Sequence, residues 1–344
     1  MIGLPRRRFY ALMLGLLSAL FAFAKLQAKD SRLELGVPVI CDIGQDCFIQ
    51  QYPDVDPSEG ARDYSCGRAT YDGHKGIDIR LRSLADIARD VRVVAAAKGR
   101  VKRTRDTMAD RILESREDEG ALEGRDCGNG VVIDHGSGWE TQYCHLKRGS
   151  LAVKPGDRVA RGQPIGAVGA VGASGRAQFA HLHFGIRKTG VTYSPFLGRP
   201  LRDGCSKADT LAPLVRWTDR AYELLRFKGP RIIATDFTVG PVSTKATEVR
   251  RLERPTANSG ALVFFARAIN LQPLDRLRLR LSGPDGFHSA SSTEPLQRRK
   301  AHYVAFVGKR LRSSRWAGGK YKGTAEIIRN GTVLQAVRGT LDLI

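Results

Sequence analysis

Between Val91 and Ile186, short runs rich in β-branched and apolar residues alternate with Gly and Pro, among them Val91-Arg-Val-Val-Ala-Ala-Ala, Gly130-Val-Val-Ile-Asp and His181-Leu-His-Phe-Gly-Ile. Runs of this length, bounded by turn formers, predict a mostly antiparallel β region. Further along, Arg276-Leu-Arg-Leu-Arg-Leu281 alternates with period two. That places Leu277, Leu279 and Leu281 on a core face and Arg276, Arg278 and Arg280 on a wet one. Asn330-Gly331, set between Thr324-Ala-Glu-Ile-Ile and Val333-Leu-Gln-Ala-Val, predicts a tight type I′ hairpin. Residues 231–344 are therefore expected to form about seven short strands in a β-sandwich.

Two stretches break the pattern. Thr104 to Asp126 is charged, carries Met108, Ile112 and Leu113 at helical spacing and ends at Gly124, which reads as a surface helical insertion. Ser206 to Lys228 reads as a short helix or irregular connector, with Trp217, Tyr222, Leu224 and Leu225 available for packing, and Gly229-Pro230 marks a boundary. At the start, Arg6, Arg7 and Arg8 precede an apolar run from Phe9 to Ala24 that ends Ala22-Phe23-Ala24, the pattern of a secretory signal peptide. The run is shorter than the about 20 residues a spanning helix needs. The expected division is signal peptide 1–24, an extension 25–68, a β domain 69–205 with the insertion 104–126, a connector 206–230 and an accessory domain 231–344. No stable transmembrane span is expected once the leader is cleaved.

Export changes the meaning of the remaining composition. Six cysteines in an oxidising compartment predict disulfides, and the preferred pairing is Cys41 with Cys47, Cys127 with Cys144, and Cys66 with Cys205. The formal charge is +21, and residues 231–344 hold 20 Lys and Arg against 8 Asp and Glu. A protein exported to the periplasm or cell envelope does not meet nucleic acid there. Anionic envelope polymers are the expected counterpart of the basic C-terminal part.

Four of the seven histidines fall in three local clusters: His74-Lys-Gly-Ile-Asp78, Tyr143-Cys-His145-Leu, and His181-Leu-His183. On a strand, His181 and His183 point to one face. Gly73 and Gly76 disfavour a helix for the first cluster and imply a turn leading into a strand, with Gly76 permitting a sharp backbone. Two imidazoles and one carboxylate with an open fourth position are a common catalytic zinc arrangement, and His74, Asp78 and one of His181 and His183 supply that set.

HxxxD, then Tyr-x-His-Leu, then HxH, in that order and with the Gly-rich approach Val153-Lys-Pro-Gly-Asp-Arg-Val-Ala-Arg-Gly-Gln-Pro-Ile-Gly and Gly172-Ala-Ser-Gly175, resembles the lysostaphin and LytM type of zinc peptidoglycan endopeptidases over Tyr71 to Arg187. The resemblance implies a mainly β protein with an antiparallel zinc peptidase domain of the duplicated hybrid motif fold. It implies one Zn2+ per chain on His74, Asp78 and His183, with His145 and His181 as non-ligand catalytic histidines, and peptidoglycan as partner and substrate. The sequence leaves open which of His145 and His181 is the base. Cys144, on a strand, is expected to point away from His145 and to pair with Cys127 as a brace. The ending Ala180-His-Leu-His-Phe-Gly185, where the family commonly has Pro-His-Leu-His-Phe-Glu, and the 104–126 insertion depart from the pattern and bear on substrate preference. Two other readings accompany the endopeptidase: a catalytically silent or self-inhibited regulator that activates another wall hydrolase, and a secreted peptidase of Gly-rich proteins. The segment 25–68 is the candidate inhibitory cover.

Overall fold

Apolar residues at every second position become strands here because the pleat carries them to one face, where burying a Val, Ile, Leu or Phe contributes about 1.5–3 kcal/mol. The computed structural model describes residues 32–110, 124–170, 179–205 and 213–344. The signal peptide 1–24, the Ile112–Leu113 stretch of the insertion and Gly172-Ala-Ser-Gly175 lie outside the described residues.

The first part contains β1 (Leu33–Leu35), β2 (Cys47–Gln51), β3 (Gly76–Leu81), β4 (Arg92–Val94), β5 (Gly99–Arg105), β6 (Gly130–Gly136), β7 (Trp139–Cys144), β8 (Arg158–Val159), β9 (Pro164–Ala167), β10 (His181–Lys188), β11 (Val191–Ser194), β12 (Arg199–Pro200) and β13 (Val215–Trp217). Nine of these form one antiparallel sheet in the order β12-β11-β10-β7-β6-β5-β8, with β3 beside the first half of β10 and β2 outside β3. The remaining strands pair as β4 with β9 and, in parallel, β1 with β13. One face of the central strands supplies the core: Ile77, Ile79 and Leu81 of β3, Leu182, Phe184 and Ile186 of β10, and Val131 and Ile133 of β6 are buried in one cluster. The intervening positions, Asp78, His181 and His183, are thereby turned to the opposite face.

Helix α1 (Asp219–Leu225) follows β13 and is capped by Thr218, whose hydroxyl accepts from the Ala221 N–H at 3.2 Å. Trp217, Ala221 and Leu225 join the first core, whereas Tyr222 stays exposed, because it lies on the solvent side of so short a helix.

Beyond Gly229-Pro230 come β14 (Arg231–Thr238), helix α2 (Thr244–Glu248), β15 (Ala261–Leu271), β16 (Asp275–Ser282), β17 (His288–Ser292), β18 (Lys300–Arg310), β19 (Gly319–Arg329) and β20 (Thr332–Leu343). They make two antiparallel sheets, β14-β15-β18 and β17-β16-β19-β20, whose apolar residues share a second core. Leu277, Leu279 and Leu281 are buried in it as the alternation requires. Asn330 (φ 49°) and Gly331 (φ 81°) form a two-residue turn joining β19 to β20, the left-handed pair that a type I′ hairpin needs.

The two parts are joined by more than the chain. Phe48 of β2 packs with Ile233 and Ile269 in a small cluster, and Asn270 Nδ2 donates to the Ile49 carbonyl at 3.0 Å. Arg80 of β3 and Arg267 of β15 both reach the carboxylate of Glu248 on α2, and all three residues are buried. The disulfides are Cys41–Cys47, Cys66–Cys205 and Cys127–Cys144. No helix among the described residues is long and apolar enough to cross a membrane.

Candidate metal centre

The ladder between β3 and β10 sets His183 directly opposite Asp78. His74 lies two residues before β3 and folds over the same face. Three donor atoms converge there. His183 Nδ1 is 2.8 Å and His74 Nε2 3.1 Å from Asp78 Oδ1, and the two nitrogens are 3.2 Å apart. Ligand atoms about 2.0–2.1 Å from a tetrahedral zinc stand about 3.3 Å from one another, so the donor set and its spacing fit that ion. The grouping is the potential metal-holding cluster of His, Asp, Glu and Cys found among the described residues.

Orientation comes from groups outside the trio. His74 Nδ1 donates to the Tyr52 carbonyl at 2.7 Å, which leaves Nε2 to face Asp78, and the Tyr71 ring stacks on the imidazole with centroids 4.5 Å apart. His181 Nδ1 donates to the Phe179 carbonyl at 3.1 Å, so its Nε2 points inward, 3.7 Å from Asp78 Oδ1. His145 brings its ring centroid to 4.7 Å from that of His181 and 5.9 Å from that of His183. All five histidine and aspartate positions expected from the sequence are therefore brought together.

Two local expectations are corrected. Cys144 does not turn away from His145: both line the cleft. The chain leaves β7 at Cys144 and His145 adopts φ 64°, so the two-residue alternation ends one residue before the histidine. The His145 N–H donates to the Cys127 carbonyl at 2.9 Å, and the Cys127–Cys144 disulfide ties down both sides of that turn. Gly76, for its part, is an ordinary strand residue and makes no sharp turn. A Cβ there would lie 2.6 Å from His183 Nε2 and 2.6 Å from the Phe184 carbonyl, so the site needs glycine for room. The positive φ belongs to Gly73, at 72°.

Burial alone would raise the Asp78 carboxyl, but the facing His74, His181 and His183 hold it well below the usual carboxylate range. Burial opposes protonation of His74, and the Asp78 charge with the Tyr52 carbonyl outweighs it, so His74 sits above the ordinary imidazole value. For His181 burial wins over Asp78 and holds it below. An anionic carboxylate beside imidazoles is the charge state a divalent cation requires.

The centre lies in a cleft of about 690 Å³. Its walls include Gln50 and Gln51 of β2, Gln142 of β7, Gly185 and Arg187 of β10, and, from the second part of the chain, Ala301 and His302 of β18. Gln50 bridges the two parts, accepting from Arg80 Nη1 at 3.0 Å and donating to the Ala301 carbonyl at 2.7 Å. The described part of the segment 25–68 thus forms an edge and a wall of the cleft. Tyr52, Gln50, Ala301 and His302 carried no motif in the sequence, and the Tyr52 contact, made by a backbone carbonyl, leaves no trace in residue identity.

Residues 72–195, which contain His74, Asp78, His145, His181 and His183, match the model of Peptidase family M23, so the resemblance to lysostaphin and LytM type endopeptidases is borne out over the site. Among individual relatives, Peptidoglycan DD-endopeptidase ShyA of Vibrio cholerae serotype O1 is 46% identical over 57 residues, 17% of this chain and 12% of that protein. ShyC of the same organism is 40% identical over 68 residues, 20% of this chain and 14% of that protein. The chain thus matches only 12% and 14% of the length of these curated relatives. A likeness in solved structures is the catalytic domain of lysostaphin from Staphylococcus simulans, with 22% identity, a TM-score of 0.26, and coverage of 36% of this chain and 76% of that one.

Proposed function

We propose that this protein is a zinc-dependent endopeptidase that hydrolyses peptide cross-links of bacterial peptidoglycan. The observation that carries the reading is the convergence of His74 Nε2, Asp78 Oδ1 and His183 Nδ1 within 3.2 Å of one another in an open cleft, with two further imidazoles beside them. Relatives named as peptidoglycan DD-endopeptidases supply the substrate class.

In this reading His74, Asp78 and His183 hold one Zn2+. The ion supplies Lewis acidity toward the scissile carbonyl and a nucleophilic water near neutral pH. His181, with Nδ1–H committed to Phe179, presents Nε2 to the reacting atoms and can accept a proton there and return it. His145, fixed by its left-handed turn, faces the same space, and an imidazolium at either position stabilises an oxyanion. Residues 69–205 act as the peptidase unit, and residues 231–344 complete the substrate cleft and add a basic surface for anionic envelope polymers. Three disulfides suit an oxidising compartment, and we place the protein in the periplasm or cell envelope.

The test is release of soluble fragments from purified peptidoglycan by the oxidised protein, with zinc, after chelation, and with His183→Ala. Zinc-dependent release abolished by the substitution supports the reading. Absence of release from a protein with bound zinc and intact disulfides overturns it.

A further inference from the structure

Two cationic side chains in the cleft have no acidic partner among the described residues. Lys75 is exposed and takes part in no ion pair, and Arg187 makes a single side-chain hydrogen bond, to Gln142 Oε1. Free cations are ordinary on a chain of net charge +21. This pair differs because both line the cleft of the metal centre and flank the same glycine.

That glycine is Gly185, which faces Gly76 on β3 and Gln142 on β7. A Cβ at 185 would meet only the Lys75 carbonyl, at 3.5 Å, so packing does not demand glycine here as it does at Gly76. The missing side chain leaves an open floor one same-face step, about 7 Å, from His183. Lys75 stands on the β3 side of this floor. Arg187 starts a further step along β10, but its hydrogen bond to Gln142, the residue opposite Gly185, draws the guanidinium back over the floor toward the metal ligands. Asp126, next in the chain to Cys127, lines the same cleft.

We infer that Lys75 and Arg187 form a carboxylate-binding subsite over Gly185, which selects peptides bearing a free carboxylate within about two residues of the bond that is cut. A guanidinium with one N–H already fixed presents the rest of its fork to a carboxylate in a set orientation, and the ammonium adds a point charge from the opposite wall. The inference deepens the endopeptidase reading and rests on it.

The experiment uses cross-linked dimeric muropeptides, prepared by muramidase digestion of purified peptidoglycan, in native form and with their carboxyl groups amidated. Wild type and a Lys75→Ala/Arg187→Ala variant are compared by KM and kcat as zinc-loaded proteins, and by equilibrium binding after chelation. Loss of the two cations is expected to raise KM for the native dimer about tenfold with kcat changed less than about twofold. Amidation should raise the wild-type KM by the same factor and leave the variant unaffected. Equal sensitivity of both proteins to amidation, or a loss confined to kcat, overturns the subsite. If neither protein cleaves, binding decides. A native dimer held about tenfold more tightly than the amidated one by wild type alone keeps the subsite while ending the hydrolase reading. Carboxylate-independent binding, or none, ends the subsite.

Discussion

Gly76 and His183 are in such close contact that the smallest side chain cannot be placed between them: a Cβ on Gly76 would fall 2.6 Å from His183 Nε2. The obstacle on the other side is the Phe184 carbonyl, also at 2.6 Å, so an added methyl has no free space in which to move away from the imidazole. Gly76→Ala is expected to turn the His183 ring and to lower both zinc affinity and hydrolysis about 100-fold. Gly185→Ala, two residues from the same histidine, should leave zinc affinity unchanged. Competition with a chromophoric chelator checks both, and equal zinc affinities for the two variants would sink the account.

The Cys127–Cys144 bridge should separate metal binding from turnover. It closes a loop with a sequence separation of 17 residues, and its removal as Cys127→Ser/Cys144→Ser should cost about 3 kcal/mol of stability in urea. His145 loses the tether on its turn, while His74, Asp78 and His183 are held by other contacts. The variant should keep stoichiometric zinc and lose most of kcat. Loss of zinc in parallel with activity would count against this division.

Glu248 stands between two buried guanidinium groups, those of Arg80 and Arg267. Burial pushes Arg267 down to about 10, with Glu248 opposing that shift. Glu248→Gln leaves both cations uncompensated and should destabilise the protein by about 3–5 kcal/mol. Arg80 also lies 4.5 Å from the Phe179 ring centroid, and the Phe179 carbonyl orients His181. A variant as stable as wild type would show that the cluster contributes little.

Burial, with Arg80 and Arg267 nearby, pushes His302 down to about 3. The unfolded chain binds a proton at this residue below about 6.5 and the native protein does not, so stability must fall as pH falls from that value toward the native one. The slope from this residue alone is at most about 1.4 kcal/mol per pH unit. His302→Gln should show a shallower loss between pH values of about 7 and about 5 in urea unfolding. Identical pH slopes for variant and wild type would refute it.

Zinc affinity should itself fall with acid, because two imidazoles must be neutral to bind. Acid is expected to lower the affinity by up to about two decades per pH unit once protons compete at both imidazoles, and at His74, held above the ordinary value by Asp78, that competition starts from a higher pH than at an unperturbed imidazole. A pH-independent affinity between about 7 and about 5 would exclude a two-histidine site.

The grouping of the five candidate residues was legible because their chemistry depends on side-chain type and on spacing that a strand converts into direction. His181 and His183 needed only period two. Leu277, Leu279 and Leu281, and the Asn330-Gly331 turn, were legible for the same reason. The relation of Cys144 to His145 was not, because a left-handed φ at a histidine carries no sequence mark and reverses the inference from alternation. The role of Gly76 was misread because glycine serves both for conformation and for room, and only the position of His183 tells which. The walls supplied by Ala301 and His302 come from a strand more than a hundred residues away, and no local pattern predicts that approach.

The buried Arg80, Glu248 and Arg267, the cluster of Phe48, Ile233 and Ile269, and the Gln50 bridge together make Gly229-Pro230 a boundary in the chain but not in the energy. A fragment ending there would present charge and apolar surface that the intact protein never shows to water. Heating or denaturant should therefore dissolve both cores in one cooperative step, and the part that carries the candidate metal centre cannot be lifted out as an interchangeable cassette without redesigning the surface that β18 now covers.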